Sequence, residues 1–136
     1  MEGCCLIDHE QRNMGKGVYF PPLKDDVGAG LVYGTFIELE KKIDHSEYTI
    51  SLSTHIISED AIPCIEIVPT SSKPIIQNER RSTSVFVNIG YNGNIAIAEC
   101  TLIPSCNEKR FLGSLFDEDC VSKIAQRIHE YVEKYL

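Results

Sequence analysis

The residues best suited to metal binding in this chain are six cysteines and four histidines, which are scattered along the sequence. Only Cys4, Cys5 and His9 lie close together, and their spacing matches no standard zinc pattern. The sequence contains no CxxC and no HExxH motif. We therefore expect no metal and no other cofactor, and we expect buried thiols to behave as small apolar groups.

Motifs for nucleophilic catalysis and for phosphate binding are missing as well. The sequence has no GxSxG motif and no P-loop. Gly28-Ala29-Gly30 is predicted to be an exposed loop before a strand, whereas a loop that cradles phosphate precedes a helix. Arg80-Arg81 lies in a polar stretch and is expected to be solvated. These patterns favour a protein that is not an enzyme.

One partial pattern in the last third of the chain does point to an enzyme family. It consists of Ala98-Glu99-Cys100, Asn107-Glu108 and the helical run from Lys123 to Tyr131. Together these segments resemble the end of zinc-dependent N-acetylmuramoyl-L-alanine amidases. In that family a catalytic glutamate ends a strand, an Asn-Pro-Glu-like segment follows, and a helix closes the domain.

The resemblance to the amidases implies a role for three residues. Glu99 would be the catalytic glutamate, Glu40 a metal-binding glutamate, and His9 the first metal-binding histidine. Gly90 stands where a second metal-binding histidine belongs, and an Asn-Gly turn replaces a long segment of the family. A degenerate or shortened amidase-like hydrolase is therefore an alternative hypothesis, because a zinc site needs three or four protein ligands.

Length, charge and composition limit the number of domains, the kind of partner and the cellular location that we expect. A chain of 136 residues is most simply one domain, residues 1–136. The net charge of −7 disfavours nucleic-acid binding through a broad phosphate footprint. No stretch reaches the roughly 18 apolar residues of a membrane span. The start, MEGCCLIDHEQR, has no basic region before its apolar patch, so we expect no secretory signal, a cytoplasmic location and free thiols.

The acidic charge favours a function in protein binding. An acidic surface suits a partner with a basic surface, for instance a toxin nuclease neutralised by its immunity protein or another inhibitor of a toxin–antitoxin type. The candidate contact residues are acids expected near loops: Asp25, Asp26, Glu38, Glu40, Glu59 and Asp60. A homo-oligomeric structural module, such as a homodimer, is a further alternative.

The clearest structural signal is a hairpin over Thr83–Leu102. Asn92-Gly93 suits a type I′ turn, in which both central residues need φ > 0. This turn predicts Tyr91 opposite Asn94 and Ile89 opposite Ala96. One face of the hairpin is then apolar: Val85, Val87, Ile89, Ala96, Ala98, Cys100 and Leu102. The other face is mixed, and three of its members could form an exposed apolar patch for self-association: Phe86, Ile95 and Ile97.

Two short strands are predicted over residues 4–7 and 18–20, and three longer strands are predicted between them and this hairpin. Leu31–Glu40 and Tyr48–Ile57 are rich in β-branched and aromatic residues and are expected to pair as a second hairpin. Ile62–Val68 is a third strand, and Pro63 and Pro69 predict that it lies at a sheet edge or ends quickly. The polar stretch after it, residues 70–82, is expected to be a loop.

A long amphipathic helix is predicted at the end of the chain, over Asp117–Leu136. Asp117 is expected to cap it, and its apolar stripe is expected to pack on the Ala and Cys residues of the hairpin. Before it, Pro104–Gly113 is predicted to be a connection, and four apolar residues are expected to pin a turn to the core: Phe111, Leu112, Leu115 and Phe116. The fold class is therefore α+β, an antiparallel sheet built from hairpins and covered by the C-terminal helix.

Overall fold

The computed structural model describes residues 26–57, 60–70, 84–103 and 108–136. Several predictions concern residues outside these ranges. They include a short strand over residues 4–7, another over 18–20 and the loop over 71–82, together with the residues Cys4, Cys5, His9, Asp25, Glu59, Arg80 and Arg81.

In the described part of the chain, five strands lie between two helices in sequence order. The elements are α1 (Asp26–Lys42), β1 (Tyr48–Ile57), β2 (Asp60–Pro69), β3 (Ser84–Asn92), β4 (Ile95–Ile103), β5 (Glu108–Ser114) and α2 (Cys120–Tyr135). Each strand pairs antiparallel with the next, so the sheet has the order β1-β2-β3-β4-β5. The predicted α+β class and the antiparallel sheet built from hairpins are confirmed.

Both described helices pack on one face of the sheet. The helix α1 contacts β2 and β3, α2 contacts β4 and β5, and the two helices contact each other. Ala96, Ala98 and Cys100 are fully buried in the resulting core. The prediction that the C-terminal helix covers this face is confirmed, although α2 shares the task with α1. Small side chains on β4 suit this arrangement because they let a helix approach the sheet closely.

The hairpin of β3 and β4 is confirmed, but its predicted register is wrong. The turn residues are Gly93-Asn94, with Gly93 at φ 59, and Tyr91 pairs with Ala96 instead of Asn94. The partner of each residue therefore shifts by two positions. Because side chains alternate with a period of two, a shift of two leaves every residue on its predicted face. All seven residues of the predicted apolar face are accordingly buried, and on β4 most of the other face is buried as well.

The strand predicted over Leu31–Glu40 is wrong, since these residues belong to helix α1. Leu31, Thr35 and Leu39 are buried and recur every four residues, as a helix requires. Tyr33 and Ile37 are exposed, and their positions between the buried residues create an accidental period of two. The predicted glycine loop at residues 28–30 is wrong for the same reason, because it is the start of α1.

The partner and the position of β2 also differ from the prediction. β1 pairs with β2, so the second hairpin joins these two strands. β2 lies inside the sheet, but only Cys64–Ile67 pair with β3. Pro63 and Pro69 flank this doubly paired segment, and each faces a partner on β1 alone. Each proline therefore lies where β2 is paired with one strand only. The missing backbone N–H of proline removes no hydrogen bond from the segment of β2 that is paired on both sides.

The segment before the last helix contains a strand that was not predicted. β5 pairs along β4, from Ile95 opposite Ser114 to Thr101 opposite Glu108. Of the four apolar residues expected to pin this segment, Phe111 is buried and Leu115 packs partly against the core. Leu112 and Phe116 are largely exposed, so their predicted burial is wrong.

The last helix begins three residues later than predicted. Asp119 is its N-cap residue, and the Asp119 side chain makes no capping hydrogen bond. Asp117 lies before the helix, where its Oδ1 accepts a hydrogen bond from the Asp119 N–H at 2.9 Å and its Oδ2 one from Lys123 Nζ at 2.7 Å. Asp117 thus anchors the first turn from outside instead of capping it.

Candidate functional site

The outward face of α1 exposes large apolar side chains. Tyr33 is 43% exposed and Ile37 is 50% exposed, and they lie one helical turn apart. Val27, in the first turn of the same helix, is 53% exposed. The opposite side of α1 is buried through Leu31 and Leu39. The helix therefore carries more apolar surface than the core uses.

Two of the predicted contact acids lie at the two ends of this exposed face. Asp26 begins α1 and Glu40 lies in its last turn, and both are exposed. At about 1.5 Å of rise and 100° per residue, they are separated by roughly 21 Å along the axis and by about 40° around it. Tyr33 and Ile37 lie between them on the same side of the helix. We call these four residues, Asp26, Tyr33, Ile37 and Glu40, the α1 face.

The other predicted contact acids do not join the α1 face. Glu38 is two positions from Glu40 and so points to the other flank of the helix, where it is half-buried and lies 3.4 Å from Lys41 Nζ. Asp60 begins β2, so it lies on a different element. Asp25 and Glu59 are outside the described residues. Two of the six predicted contact acids, Asp26 and Glu40, therefore lie on one side of α1, at its two ends.

The chain after α1 is tied closely to the end of the helix. His45 Nε2 donates a hydrogen bond to the Glu40 carbonyl oxygen at 2.7 Å. Asp44 Oδ1 accepts hydrogen bonds from the Ser46 hydroxyl at 2.6 Å and from the Ser46 N–H at 2.9 Å. These bonds lower the pKa of the Asp44 carboxyl, the hydroxyl contributing most. They satisfy backbone and side-chain groups at the helix end, so the acid Glu40 is presented from an ordered terminus.

The sheet face opposite the helices holds a buried ion pair. Glu99 is only 2% exposed, and its Oε2 lies 2.8 Å from one Arg110 guanidinium nitrogen and 2.9 Å from Nε. The pairing of β4 with β5 places these two residues directly opposite each other. Thr101, two residues along β4, is also buried, and its hydroxyl has no hydrogen-bond partner among the described residues. Arg110 was missed from the sequence because its segment was taken as a connection.

The described residues do not assemble the site that the amidase resemblance implies. Glu99 is on the sheet face away from the helices, whereas Glu40 is on α1, on the helical side. His9 lies outside the described residues. Where the structure is described, no group of three His, Cys, Asp or Glu residues could hold a metal ion.

The apolar patch expected for self-association does not form as predicted. Ile95 is 42% exposed, but Ile97 is buried and Phe86 is half-buried. Gly90 and Leu112 lie opposite Ile97 on the neighbouring strands. Ile95 and Leu112 are exposed on this face, but the predicted patch of Phe86, Ile95 and Ile97 is not exposed as a whole.

The described cysteines are free thiols inside the fold. Cys64, Cys100 and Cys120 are all buried, and Cys100 lies on the apolar face of the hairpin as predicted. Burial raises the pKa of the Cys64 thiol to about 11, and burial raises that of Cys100 further. Because the thiolate is the reactive form, neither thiol is activated as a nucleophile near neutral pH.

Comparisons with known proteins identify no relative. No protein family, no curated protein and no solved structure matches this chain. Among the described helices, none is both long enough and apolar enough to cross a membrane.

Proposed function

We propose that this protein acts by binding another protein through the α1 face. The observation that carries the proposal is the pair Tyr33 and Ile37, which are exposed one helical turn apart on the side of α1 opposite its buried residues. Aromatic anchors with neighbouring aliphatic groups provide most of the energy in many protein interfaces. The acids Asp26 and Glu40 stand at the two ends of this apolar centre, as charged residues do at the rim of an interface.

The charge of the α1 face and of the whole chain favours a basic partner. The chain carries a net charge of −7, and acids flank the apolar centre. Complementary charge speeds encounter and disfavours wrong partners, while desolvated aromatic contacts provide affinity. An immunity protein or another inhibitor that neutralises a basic toxin, such as a nuclease, combines these properties. The three buried free thiols support a reducing, cytoplasmic setting for this role.

Binding is favoured over catalysis by the state of the groups that could react. The Glu99 carboxylate is already engaged by Arg110, and the described thiols are protonated and buried. Neither group combines exposure with activation, as a nucleophile or a general base requires. The amidase-like alternative would need Glu40 and Glu99 in one cleft, and they lie on opposite sides of the sheet.

The proposal is tested by comparing two matched double variants as baits in the native host. Tyr33→Ala/Ile37→Ala removes the centre of the α1 face, and Phe116→Ala/Leu112→Ala removes an exposed aromatic and an exposed aliphatic group elsewhere. A protein retained by the wild type and by the second variant is then purified, and its affinity is measured by calorimetry. We expect Tyr33→Ala/Ile37→Ala to weaken binding at least about tenfold, or ~1.4 kcal/mol. Equal affinity for both variants would refute the assignment.

Two further measurements distinguish a basic protein partner from a second copy of the chain as the ligand of the α1 face. With the purified partner, the association rate should fall as salt rises and should fall again in Asp26→Asn/Glu40→Gln, because these charges steer encounter. Sedimentation of the chain alone should show a monomer at micromolar concentration. A dimer that Tyr33→Ala/Ile37→Ala dissociates would assign the α1 face to self-association and overturn the proposal.

A further inference from the structure

A small groove lies between the edge strand β5 and the last two turns of α2. Its volume is 160 Å³. Two residues come from β5 and five from α2: Lys109, Phe111, Arg127, Glu130, Tyr131, Lys134 and Tyr135. These residues are distinct from the α1 face, so the groove is independent of the function proposed above.

The groove is basic although the protein is acidic. It is lined by three cations and one carboxylate, in a chain whose net charge is −7. Among the described residues, no carboxylate lies within 4.0 Å of the charged nitrogens of Lys109, Arg127 or Lys134. The carboxylate of Glu130 instead accepts a hydrogen bond from Gln126 Nε2 at 3.2 Å. The three cations of the groove therefore have no ion-pair partner among the described residues, and positive charge of this kind attracts anions.

Aromatic rings hold two of these cations beside the groove. The Arg127 guanidinium carbon lies 5.0 Å from the centre of the Phe111 ring, and Lys134 Nζ lies 5.3 Å from the centre of the Tyr135 ring. A guanidinium over a ring still directs its N–H donors outward in the plane of the group, where an oxyanion can accept them. The cations are thus positioned without using their hydrogen-bond donors.

The aromatic residues of the groove also form a fixed wall. Phe111 and Tyr131 are buried and meet edge to face, with ring centres 6.1 Å apart and an interplanar angle of 78°. Tyr135 leans on Tyr131 with ring centres 4.9 Å apart, and it remains 46% exposed. A ligand ring can therefore contact Tyr135 and the rim of the wall without opening the core. Aromatic pairs of this kind favour stacked or edge-to-face contact.

We propose that this groove binds a small aryl anion, a single aromatic ring that carries a phosphate or carboxylate group. The size of the groove sets the limit of one ring, because a dry cavity of about 150 Å³ accommodates benzene. The two cations on α2 and Lys109 on β5 bind the charged group, and the aromatic wall contacts the ring. Because the volume is well below the roughly 300–1,000 Å³ of drug-sized pockets, part of the ligand remains in solvent.

The test is an NMR titration of the full-length chain with four probes. The probes are phenyl phosphate, benzoate, inorganic phosphate and benzyl alcohol, which separate the contribution of the ring from that of the charge. We expect saturable amide shifts with the two aryl anions, confined to residues 109–111 and 127–135. Inorganic phosphate and benzyl alcohol should each bind at least about tenfold more weakly than phenyl phosphate.

Matched variants test whether the named residues bind the aryl anion. Arg127→Gln/Lys134→Gln should weaken phenyl phosphate at least about tenfold, whereas Lys123→Gln, an exposed lysine of the same helix outside the groove, should leave it unchanged. The amide spectrum of each variant without ligand verifies its fold. The proposal is overturned if shifts do not saturate, if inorganic phosphate binds as tightly, or if the double variant binds like the wild type.

Discussion

The two described helices use their apolar residues in different ways. In α2 the buried residues Ile124, Ile128 and Val132 follow each other every four positions, and the opposite side of the helix is polar. In α1 the buried side is equally apolar, but Tyr33 and Ile37 are exposed on the other side. Both helices are of similar length, 17 and 16 residues, and pack on the same sheet face, so neither length nor location explains the difference.

The contrast between α1 and α2 separates an apolar stripe needed for folding from apolar residues that lie outside such a stripe. A helix that only covers a sheet needs one apolar stripe, and in α2 the exposed Tyr135 continues that stripe to the groove beside β5. The extra apolar residues of α1 contribute little to the core, because about half of each side chain remains in water. Such residues cost solubility when they are exposed together, which favours a partner that covers them.

The largest expected difference between the helices is in the stability effect of isoleucine truncation. Ile128→Ala in α2 should lower the free energy of unfolding by about 2–5 kcal/mol, because it leaves a cavity at a fully buried position. Ile37→Ala in α1 should change it by about 0.5 kcal/mol or less, because the side chain is half exposed. Urea unfolding followed by circular dichroism measures both values.

One outcome of the isoleucine comparison would contradict the assignment of Ile37 to the α1 face. If Ile37→Ala destabilised the chain by as much as Ile128→Ala, Ile37 would belong to the core and could not anchor a partner. Both variants should keep the same dependence of unfolding free energy on urea concentration, since this slope reports the surface exposed on unfolding.

The same contrast explains how much of the fold could be predicted from the sequence. The β3–β4 hairpin and α2 were predicted because their apolar residues keep a single period. The helix α1 was mistaken for a strand, because Tyr33 and Ile37 fill the positions between buried residues and imitate an alternation of two. The strand β5 was missed because Phe111 is its only fully buried side chain, so charge and exposure conceal its alternation.

The candidate sites were less predictable than the fold. The acids at the two ends of the α1 face were named from charge alone, but Tyr33 and Ile37 were assigned to a strand. The Glu99–Arg110 pair and the groove beside α2 both depend on β5, which was not predicted. Contacts between residues distant in sequence can be predicted only when strand order and register are known. The local pattern of charged residues on β5 indicates neither.

A smaller effect is expected from a glycine in α1. Gly30→Ala should raise the free energy of unfolding by about 0.5–1 kcal/mol, because alanine has the higher helix propensity. A Cβ atom at Gly30 would meet nothing within 4 Å, so the gain is not offset by a clash. The matched control is Gly93→Ala in the hairpin turn, where φ is 59, and it should be destabilising.

The Gly30 measurement distinguishes the helix from the strand that the sequence suggested. Thermal unfolding of the two glycine variants should shift the midpoint in opposite directions. A loss of stability in Gly30→Ala would contradict a helical, exposed position for this residue and with it the geometry of the α1 face.

The smallest expected effect is the pH dependence of stability that arises from two carboxylates beside the helices. The hydrogen bond from Lys123 is the main cause that lowers the pKa of Asp117 before α2, and the Ser46 hydroxyl lowers that of Asp44 after α1. A carboxyl whose pKa is lower in the folded state stabilises the fold above its unfolded pKa, here 3.8, and the stabilisation is lost as pH falls through the folded value. Both groups are exposed, so the effects are small.

Salt distinguishes the two carboxylates, because only Asp117 depends mainly on a charged partner. Raising the ionic strength should bring the pKa of Asp117 closer to 3.8, whereas the pKa of Asp44 should change less, because its principal partner is a neutral hydroxyl. Carbon-detected NMR titration of the carboxyl groups measures both values. Lys123→Met should reproduce the effect of salt on Asp117 and leave Asp44 unchanged. An Asp117 titration indifferent to both changes would show that Lys123 does not anchor α2.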